Sequence, residues 1–193
     1  LDSYDVSDEL PSPSNTSKTI VEFSQIYDLS EHEITNGITN YLRKEFAIYL
    51  SVNASKGFDI KLNGRSLGFE NLVKEEEAFK LEVEDYSFDV KFFRWNGKLN
   101  NNSSRFYFLF NDGSFKWTTT TKFNNKGDSF YHSLIITSDY FEDFTVLKND
   151  TQDDLFEQAS PKSIEFKELI EKLNAFIDLK RKRFVVDYAK QLV

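Results

Sequence analysis

Residues 79–92, Phe-Lys-Leu-Glu-Val-Glu-Asp-Tyr-Ser-Phe-Asp-Val-Lys-Phe, decide the fold class of this chain. Apolar residues stand at every second position on both sides of Asp85-Tyr86: Phe79, Leu81, Val83, Phe88, Val90 and Phe92. This period of two is typical of strands with one buried face. We therefore expect residues 78–95 to form either one long bent strand or two short strands.

Further strands follow toward the C terminus. The aromatic run 106–110 and the run 115–121 flank Asn111-Asp112-Gly113, a pattern that predicts a hairpin. Residues 130–137 are a last clear strand, in which Leu134 and Ile136 should face one way and Ile135 the other. The polar stretch from Asn100 to Ser104 predicts an exposed turn before them.

The N-terminal part predicts a strand, a helix and a hairpin. Residues 18–27 are rich in β-branched and aromatic residues, which favour a strand. Ser30 and Glu33 have the spacing of a capping box, and a helix should run from there to Leu50. Its predicted apolar stripe is Ile34, Ile38, Tyr41, Leu42, Phe46, Tyr49 and Leu50. Asn63-Gly64, after the alternating residues Phe58, Ile60 and Leu62, predicts a type I′ hairpin turn.

A helical pattern begins at Ser160-Pro161, where a proline in the first turn would be tolerated. Its predicted apolar stripe is Ile164, Leu169, Ile170, Leu173, Phe176 and Ile177. We therefore expect an α+β fold, with a mixed, largely antiparallel sheet, an early βαβ crossover helix and a long C-terminal helix. The expected organisation is a flexible acidic linker or tail at 1–17, a sheet domain at 18–160 and a basic helix at 161–193.

Composition limits the function classes. The 193 residues include no cysteine, which excludes disulfides, cysteine nucleophiles and thiolate metal sites. Methionine is also absent and the chain opens at Leu1, so we expect a piece of a longer polypeptide. The net charge of −8 divides into +3 on residues 161–193 and −11 on residues 1–160, so we expect no nucleic-acid binding by the acidic body. No apolar run approaches the roughly 18 residues of a membrane span, so we expect a cytoplasmic protein without a membrane partner.

Two histidines could serve chemistry, but structural roles are favoured for both. His132 lies within a strand pattern beside Ser133, with Asp128 and Asp139 nearby in sequence. A Ser/His/Asp arrangement could be drawn there, yet no nucleophile elbow or glycine-rich oxyanion hole accompanies it. His32 falls in the first turn of a predicted helix, where it would be solvated or assist the cap.

Acidic, aromatic and basic clusters have equally simple interpretations. A solvated loop is favoured over a metal site for the acids Asp139, Glu142, Asp143, Asp150, Asp153, Asp154 and Glu157. Core packing is favoured over a stacking platform for Trp95, Trp117 and the run 106–108. The basic cluster Lys180-Arg181-Lys182-Arg183 is interpreted as a solvated helix face, with contact to phosphate or an acidic neighbour as the alternative. No phosphate-binding glycine loop is present.

Three segments carry a resemblance to a known family. They are Thr19-Ile20-Val21-Glu22-Phe23, Ile60-Lys61-Leu62-Asn63-Gly64 and Asn125-Lys126-Gly127-Asp128-Ser129-Phe130-Tyr131-His132-Ser133. Together with the element order, they resemble the second, or transducer, domain of GHKL-type ATPases, the superfamily of gyrase B, the ninety-kilodalton heat-shock chaperones, MutL and the MORC proteins. The last segment is similar to stretches in bacterial ATP-binding proteins of this type. The resemblance covers about residues 18–175.

The resemblance implies a ribosomal-protein-like βαβ fold with a left-handed crossover, although right-handed crossovers are the rule. It also implies that one basic side chain contacts the γ-phosphate of ATP held by a neighbouring domain. The residue that matches by position is Lys162, in Ser160-Pro161-Lys162-Ser163, although an ordinary first-turn lysine is favoured over this role. ATP and Mg²⁺ would bind only through that neighbouring domain, because the family's magnesium-binding asparagine helix, adenine loop and glycine-rich lid are missing from these residues.

The sequence thus predicts a middle domain that couples ATP binding in a neighbour to conformational change, in a parent ATPase, and that is not itself an enzyme. The neighbouring ATPase domain is its expected partner, and a homodimer is left open. Two alternatives remain. One is a free-standing aromatic-rich binding module for glycans or single-stranded nucleic acid, with Trp95, Tyr107 and Trp117 lining its groove. The weaker one is a small hydrolase that uses His132.

Overall fold

The computed structural model describes residues 30, 33–100, 104–124, 126–146 and 160–191. The helices are a π-helical turn at Glu33–Ile38, α1 (Thr39–Glu45), α2 (Ala47–Asn53) and α3 (Ile164–Gln191). The strands are β1 (Lys61–Leu62), β2 (Arg65–Ser66), β3 (Val73–Val83), β4 (Tyr86–Trp95), β5 (Arg105–Leu109), β6 (Phe115–Thr120) and β7 (His132–Thr137). Single 3-10 turns occupy Ala54–Lys56, Glu70–Leu72 and Asp139–Phe141. The predicted tail at 1–17, the predicted strand at 18–27 and His32 lie outside the described residues.

Five strands form one mixed sheet in the order β3-β4-β7-β5-β6. All neighbouring pairs are antiparallel except β5 and β7, which run parallel. β7, the last of the described strands in chain order, lies in the middle of the sheet, which explains why residues 132–136 are all buried. The predicted α+β class, with a mixed, largely antiparallel sheet and a long C-terminal helix, is confirmed.

Residues 79–92 belong to a hairpin of two strands, β3 and β4. Val83 pairs with Tyr86 across Glu84-Asp85, and Glu84 adopts a positive φ of 48°. Such an angle is required in a two-residue hairpin turn. The two-strand interpretation of residues 78–95 is therefore correct, but β3 begins earlier, at Val73. The hairpin predicted around Asn111-Asp112-Gly113 is likewise confirmed as the antiparallel pair β5 and β6.

One face of the sheet is covered by α3. Its core, here called the α3-side core, contains Leu134 and Ile136 of β7 together with Leu169, Leu173 and other residues of α3. Aromatic rings dominate this core, including Phe88, Phe92, Phe106, Phe108, Phe141, Phe144 and Phe166. Phe166, Leu169, Leu173 and Ile177 recur at three- and four-residue intervals, so one stripe of α3 faces the sheet.

The opposite face carries a smaller core, here called the α2-side core. Ala47, Ile48 and Leu50 of α2 pack there, and the remaining buried members are Phe69, Phe93, Trp95, Leu99, Leu109 and Ile135. The prediction that Ile135 faces away from Leu134 and Ile136 is confirmed, since the three residues divide between the two cores. The sheet therefore lies between α3 on one side and α2 on the other.

The start of the first helix follows its sequence signals. The Ser30 N–H donates to Glu33 Oε2 at 2.8 Å and the Glu33 N–H donates to Ser30 Oγ at 3.3 Å, so the capping box is confirmed. Asn63 and Gly64 have φ values of 50° and 76°, which fit the predicted type I′ turn between β1 and β2.

The predicted apolar stripe of this helix is largely wrong. Tyr41 is 65% exposed, and Ile38, Phe46 and Tyr49 are also exposed. The helix is interrupted at Phe46, where φ is −94° and ψ is 3°, and it continues as α2 to Asn53. This interruption rotates the buried face, so that Ala47 and Ile48 join Leu50 in the core instead of the predicted residues.

The strand that follows this helix is β1, which pairs with β2 in a separate two-stranded sheet. It does not enter the five-stranded sheet, so the strand after the predicted crossover helix is not one of that sheet's strands. The other strand predicted for the βαβ unit, at residues 18–27, lies outside the described residues.

Two expectations about polar segments and α3 need correction. Ser104, predicted in an exposed turn, is buried, and its carbonyl accepts the N–H of Thr121. α3 begins at Ile164, so Pro161 stands in the turn before the helix and not in its first turn. Ile164 was predicted in the apolar stripe but is 74% exposed, because the stripe that faces the sheet begins with Phe166.

Candidate functional site

The N-terminal approach to α3 holds Lys162, the predicted phosphate contact. Lys162 is exposed, and its backbone N–H donates to Ser160 Oγ at 3.3 Å. Ser163 Oγ donates to the Ser160 carbonyl at 2.7 Å, and the Lys167 N–H donates to the Ser163 carbonyl at 3.2 Å. These bonds fix the turn in place directly before the positive end of the helix dipole.

Tyr140 anchors this turn to the sheet. Its hydroxyl and Ser163 Oγ lie 2.6 Å apart, and its ring packs edge-on against Tyr86 and Phe88. Burial raises the pKa of the Tyr140 hydroxyl, so it stays protonated and can serve as a hydrogen-bond donor. The position of Lys162 is thereby coupled to the hairpin end of the sheet.

The basic cluster, residues 180–183, lies on the same helix, just after the buried stripe ends at Ile177. Only 11% of the Lys180 side chain is exposed. Its ammonium group donates to Glu75 Oε1 at 2.6 Å and to Glu77 Oε2 at 2.5 Å. Its ammonium also lies over the rings of Phe92 and Phe176. Burial alone would lower the pKa of Lys180, but the two carboxylates raise it above its ordinary value.

The other three members of the cluster point to different surroundings. Arg181 Nε lies 2.5 Å from Asp128 Oδ2, and Lys182 pairs with Asp178 one turn earlier at 2.7 Å. Arg183 is exposed and lines a 400 Å³ surface pocket that also contains Lys74, Glu75, Arg94, Phe184, Asp187 and Tyr188. The alternative prediction, contact with an acidic neighbour, holds for Lys180 and Arg181, whereas Lys182 and Arg183 belong to an exposed face.

His132 is a structural histidine. It is fully buried, with Nε2 3.0 Å from Thr121 Oγ1 and Nδ1 3.0 Å from the Phe130 carbonyl. Burial lowers its pKa to about 4, so the ring is neutral at physiological pH. Ser133, its neighbour on β7, accepts the indole N–H of Trp95 at 3.0 Å on the opposite face of the sheet. Adjacent strand residues point to opposite faces, so His132 and Ser133 do not form a nucleophile–base pair.

The acidic residues within the described part of the chain do not converge. Asp139, Glu142 and Asp143 are exposed, and Asp139 accepts a hydrogen bond from the Asn111 side chain. The remaining acids of that predicted loop lie outside the described residues. Among the residues that the structure describes, no three His, Cys, Asp or Glu side chains are arranged to hold a metal ion.

The aromatic residues proposed to line a ligand groove lie on two faces of the sheet. Trp95 is buried in the α2-side core, where it stacks on Phe93, and Tyr107 packs against the same core. Trp117 packs against the α3-side core, stacked on Phe108. The structure therefore does not bring Trp95, Tyr107 and Trp117 together in one groove, and their contacts are those of core packing.

Sequence reasoning missed two concave surfaces. The larger, of about 710 Å³, lies between α2 and the part of the sheet that α2 leaves uncovered. Its floor includes Ala78, Leu109 and Ile135, and its rim carries Lys56, Lys80, Asp89, Lys91 and Asp112. Lys56 donates to the Asp112 carbonyl across one end. Only the Asn-Asp-Gly turn signal pointed to this region, because the groove forms from segments far apart in sequence.

The smaller missed surface is a polar pocket of about 490 Å³ between α1 and the β1–β2 hairpin. Arg43 and Arg65 line it together with Thr35, Asn36, Thr39, Asn40, Asn63 and Ser66. Arg43 donates to Asn40 Oδ1 at 3.3 Å, while its buried Nε atom has no hydrogen-bond partner within the described part of the chain. In the sequence, Asn63-Gly64 signalled a turn and formed part of a segment that carries the family resemblance, whereas Arg43 carried no signal.

No family model, curated protein or solved structure matches this chain. Within the described residues, none of the helices combines the length and the apolar character that crossing a membrane requires.

Proposed function

We propose that this chain is a coupling and interaction domain of a larger GHKL-type ATP-binding protein, without catalytic residues of its own for ATP hydrolysis. In this role the domain changes its position in response to ATP binding and hydrolysis in a neighbouring domain. ATP and Mg²⁺ bind in that neighbour, and this domain contributes one cation to the nucleotide.

The way in which α3 is held carries the proposal. The helix has 28 residues, which corresponds to a length of about 42 Å. Its buried stripe, from Phe166 to Ile177, fixes its first half on the sheet, and the ion pairs of Lys180 hold the next turn. The last turns leave Val185, Val186 and Tyr188 between 42% and 53% exposed. The helix is docked as far as Phe184, whose ring lies 5.4 Å from that of Phe130, and only the turns after it are free. A rigid rod with such a partly apolar free end is suited to carrying a movement to a partner.

Lys162 stands at the other end of this rod. An ammonium group there would neutralise negative charge on a phosphoryl group presented by a neighbouring domain. The hydrogen bonds of the Ser160–Ser163 turn and the Tyr140–Ser163 contact would pass a shift of Lys162 to both α3 and the sheet. A nucleotide-coupled movement requires a cation near the phosphate and a rigid element that moves with it. Lys162 and α3 would supply these two parts.

The test is ATP hydrolysis by the full-length gene product that contains this chain. If the proposal is right, Lys162→Ala lowers kcat by roughly a hundredfold, as loss of a transition-state cation does, while nucleotide binding changes little. Lys162→Arg should recover part of the activity because it restores the charge.

Lys167→Ala provides the matched control, since Lys167 is an exposed lysine one turn into the same helix. It should hydrolyse ATP at the wild-type rate. The proposal fails if the full-length protein neither binds nor hydrolyses ATP, or if the Lys162→Ala and Lys167→Ala proteins have the same kcat.

A further inference from the structure

Among the residues that the structure describes, β3 is an edge strand. It pairs with β4 on one side, and no strand among the described residues pairs with its other side. Edge strands expose a row of backbone N–H and C=O groups that can add a further strand. At 11 residues β3 is the longest strand of the sheet, so it presents the largest such row.

The even-numbered residues of β3 direct their backbone groups outward. In a two-residue hairpin the flanking pair, here Val83 and Tyr86, exchanges hydrogen bonds, and inward bonding then alternates along the strand. Glu82 is thus expected to point its carbonyl away from β4. Lys172 Nζ donates to this carbonyl at 2.8 Å, which agrees with that assignment.

The side chains of the same residues form a self-complementary charge pattern. Glu76, Ala78, Lys80 and Glu82 lie along the face of β3 opposite α3, beyond the irregularity between Val73 and Glu75. When the strand is reversed about Ala78, Glu76 and Lys80 exchange places, so their charges are inverted. An antiparallel copy centred on Ala78 therefore places Glu76 of each copy opposite Lys80 of the other, and this pair occurs twice by symmetry.

We propose that β3 pairs with β3 of a second copy of this chain, antiparallel about a two-fold axis at Ala78, to form a continuous ten-stranded sheet. This inference is independent of the proposed coupling function. The partner proposed for the β3 edge is a second copy of this chain, because the charges of two antiparallel β3 strands complement each other. Closed two-fold dimers of this kind are the commonest symmetric assemblies.

The ion pairs within each copy extend this pattern across the axis. Lys80 pairs with Asp89 of β4 at 3.1 Å, and Lys91 of β4 pairs with Glu76 at 2.8 Å. In the dimer, a row across four strands would read Asp89, Lys80, then Glu76 and Lys91 of the second copy. Charges alternate along the whole row, and the two-fold axis generates a second identical row. Opposite charges directly across a strand pair stabilise it.

Other registers lose this match. A shift of the partner strand by two residues in one direction places Glu76 opposite Glu82, and a shift in the other direction places Glu76 opposite Ala78, so the Glu76–Lys80 pairs are lost in both. A parallel copy in register sets every charge against its like. Like charges directly opposite each other are destabilising, so the pattern selects one orientation and one register.

On the face of β3 toward α3, the same register places no two like charges directly opposite each other. Glu77 would lie opposite Phe79 of the second copy, and Glu75 opposite Leu81. Within each copy Lys180 pairs with both glutamates, and Arg94 also pairs with Glu75. Lys172, whose side chain is 43% exposed and also pairs with Glu168, can release the Glu82 carbonyl at the end of the strand.

The experiment is sedimentation equilibrium of the whole chain and of two charge reversals, Glu76→Lys and Lys80→Glu. The wild type should be a dimer. Each reversal alone creates two like-charge pairs and should weaken self-association by roughly tenfold or more. Mixed together, the two variants have complementary charges again and should form a heterodimer, which native mass spectrometry identifies by its mass.

Two exposed residues on α3 provide matched controls. Glu171→Lys and Lys167→Glu make the same charge changes away from β3 and should dimerise like the wild type. Ala78→Pro removes an N–H that points outward, so it should abolish the dimer while circular dichroism shows the fold intact. A wild-type chain that stays monomeric, or a mixture that does not form the heterodimer, would overturn the proposal. Dimer loss in the control variants would overturn it as well.

Discussion

At the scale of single residues, His132 shows how burial decides between chemistry and structure. A histidine between a serine and two aspartates in sequence suggested a hydrolase, but both ring nitrogens are occupied by structural contacts. The ring also packs against Phe130, with centroids 4.9 Å apart. A catalytic base needs a pKa near the working pH. Burial instead lowers the pKa of His132 to about 4, which suits a neutral part of the core.

This lowered pKa predicts a specific acid sensitivity. Between pH 6.5 and about pH 4 the unfolded chain protonates His132 and the folded protein does not. The unfolded state then binds more protons, so the free energy of unfolding falls as the pH falls through this range. The full loss is about 3 kcal/mol. Urea unfolding at a series of pH values should show that His132→Gln loses less stability on acidification than the wild type.

All carboxylates and His32 remain in both proteins, so the difference between the two pH profiles isolates His132. The variant will be less stable near neutral pH because it loses the ring contacts, but the comparison rests on slopes and not on absolute values. Parallel profiles for the two proteins would show that the pKa of His132 is the same in the folded and the unfolded state.

At the scale of elements, the docking of α3 separates buried from exposed residues clearly. Leu173 is fully buried in the α3-side core, while Leu179, fewer than two turns further along, is 50% exposed. Replacing a buried leucine with alanine loses apolar burial and leaves a cavity. Leu173→Ala should therefore lower the free energy of unfolding by about 2–5 kcal/mol.

Leu179→Ala is the matched control, since it is the same substitution on the same helix. Its effect should stay within about 0.5 kcal/mol because an exposed leucine contributes little. Urea unfolding followed by circular dichroism measures both values. Equal destabilisation by the two substitutions would show that α3 is not held by the stripe that contains Leu173.

The local elements were predictable wherever a short-range signal determines them. Asn63-Gly64 and Asn111-Asp112-Gly113 mark their hairpins because positive φ angles favour these residues. The capping box at Ser30 depends on a contact over three residues. The apolar stripe of the first helix could not be predicted in the same way. The interruption at Phe46 changes the phase of the helix, and no Pro or Gly at that position announces it.

At the scale of the whole molecule, the insertion of β7 between β4 and β5 was beyond the sequence. Strand alternation identifies which residues face together, as it did for Leu134 and Ile135, but it does not identify neighbours. The same limit applies to the basic cluster. Lys180 meets Glu75 across 105 positions of sequence, so a pattern that looked like a solvated helix face contains a partly buried ion pair.

The central strands join the two cores into one structure. β4 contributes Phe92 to the α3-side core and Phe93 to the α2-side core, and β7 contributes Leu134 and Ile135 in the same alternating way. Neither core can lose its packing without exposing strands that the other core needs. We therefore expect both cores to unfold in a single transition, as small domains with one shared sheet do.

The two tryptophans allow a direct test, because each reports one core. Trp117→Phe leaves Trp95 as the reporter of the α2-side core, and Trp95→Phe leaves Trp117 as the reporter of the α3-side core. Within each variant, urea unfolding followed by tryptophan fluorescence and by far-ultraviolet circular dichroism should give the same midpoint. Trp95→Phe will be the less stable variant because Ser133 Oγ loses the indole N–H at a buried position. If fluorescence of Trp95 changed at a lower urea concentration than the dichroism, α2 and its core would be a separate, weaker unit that opens before the sheet and α3.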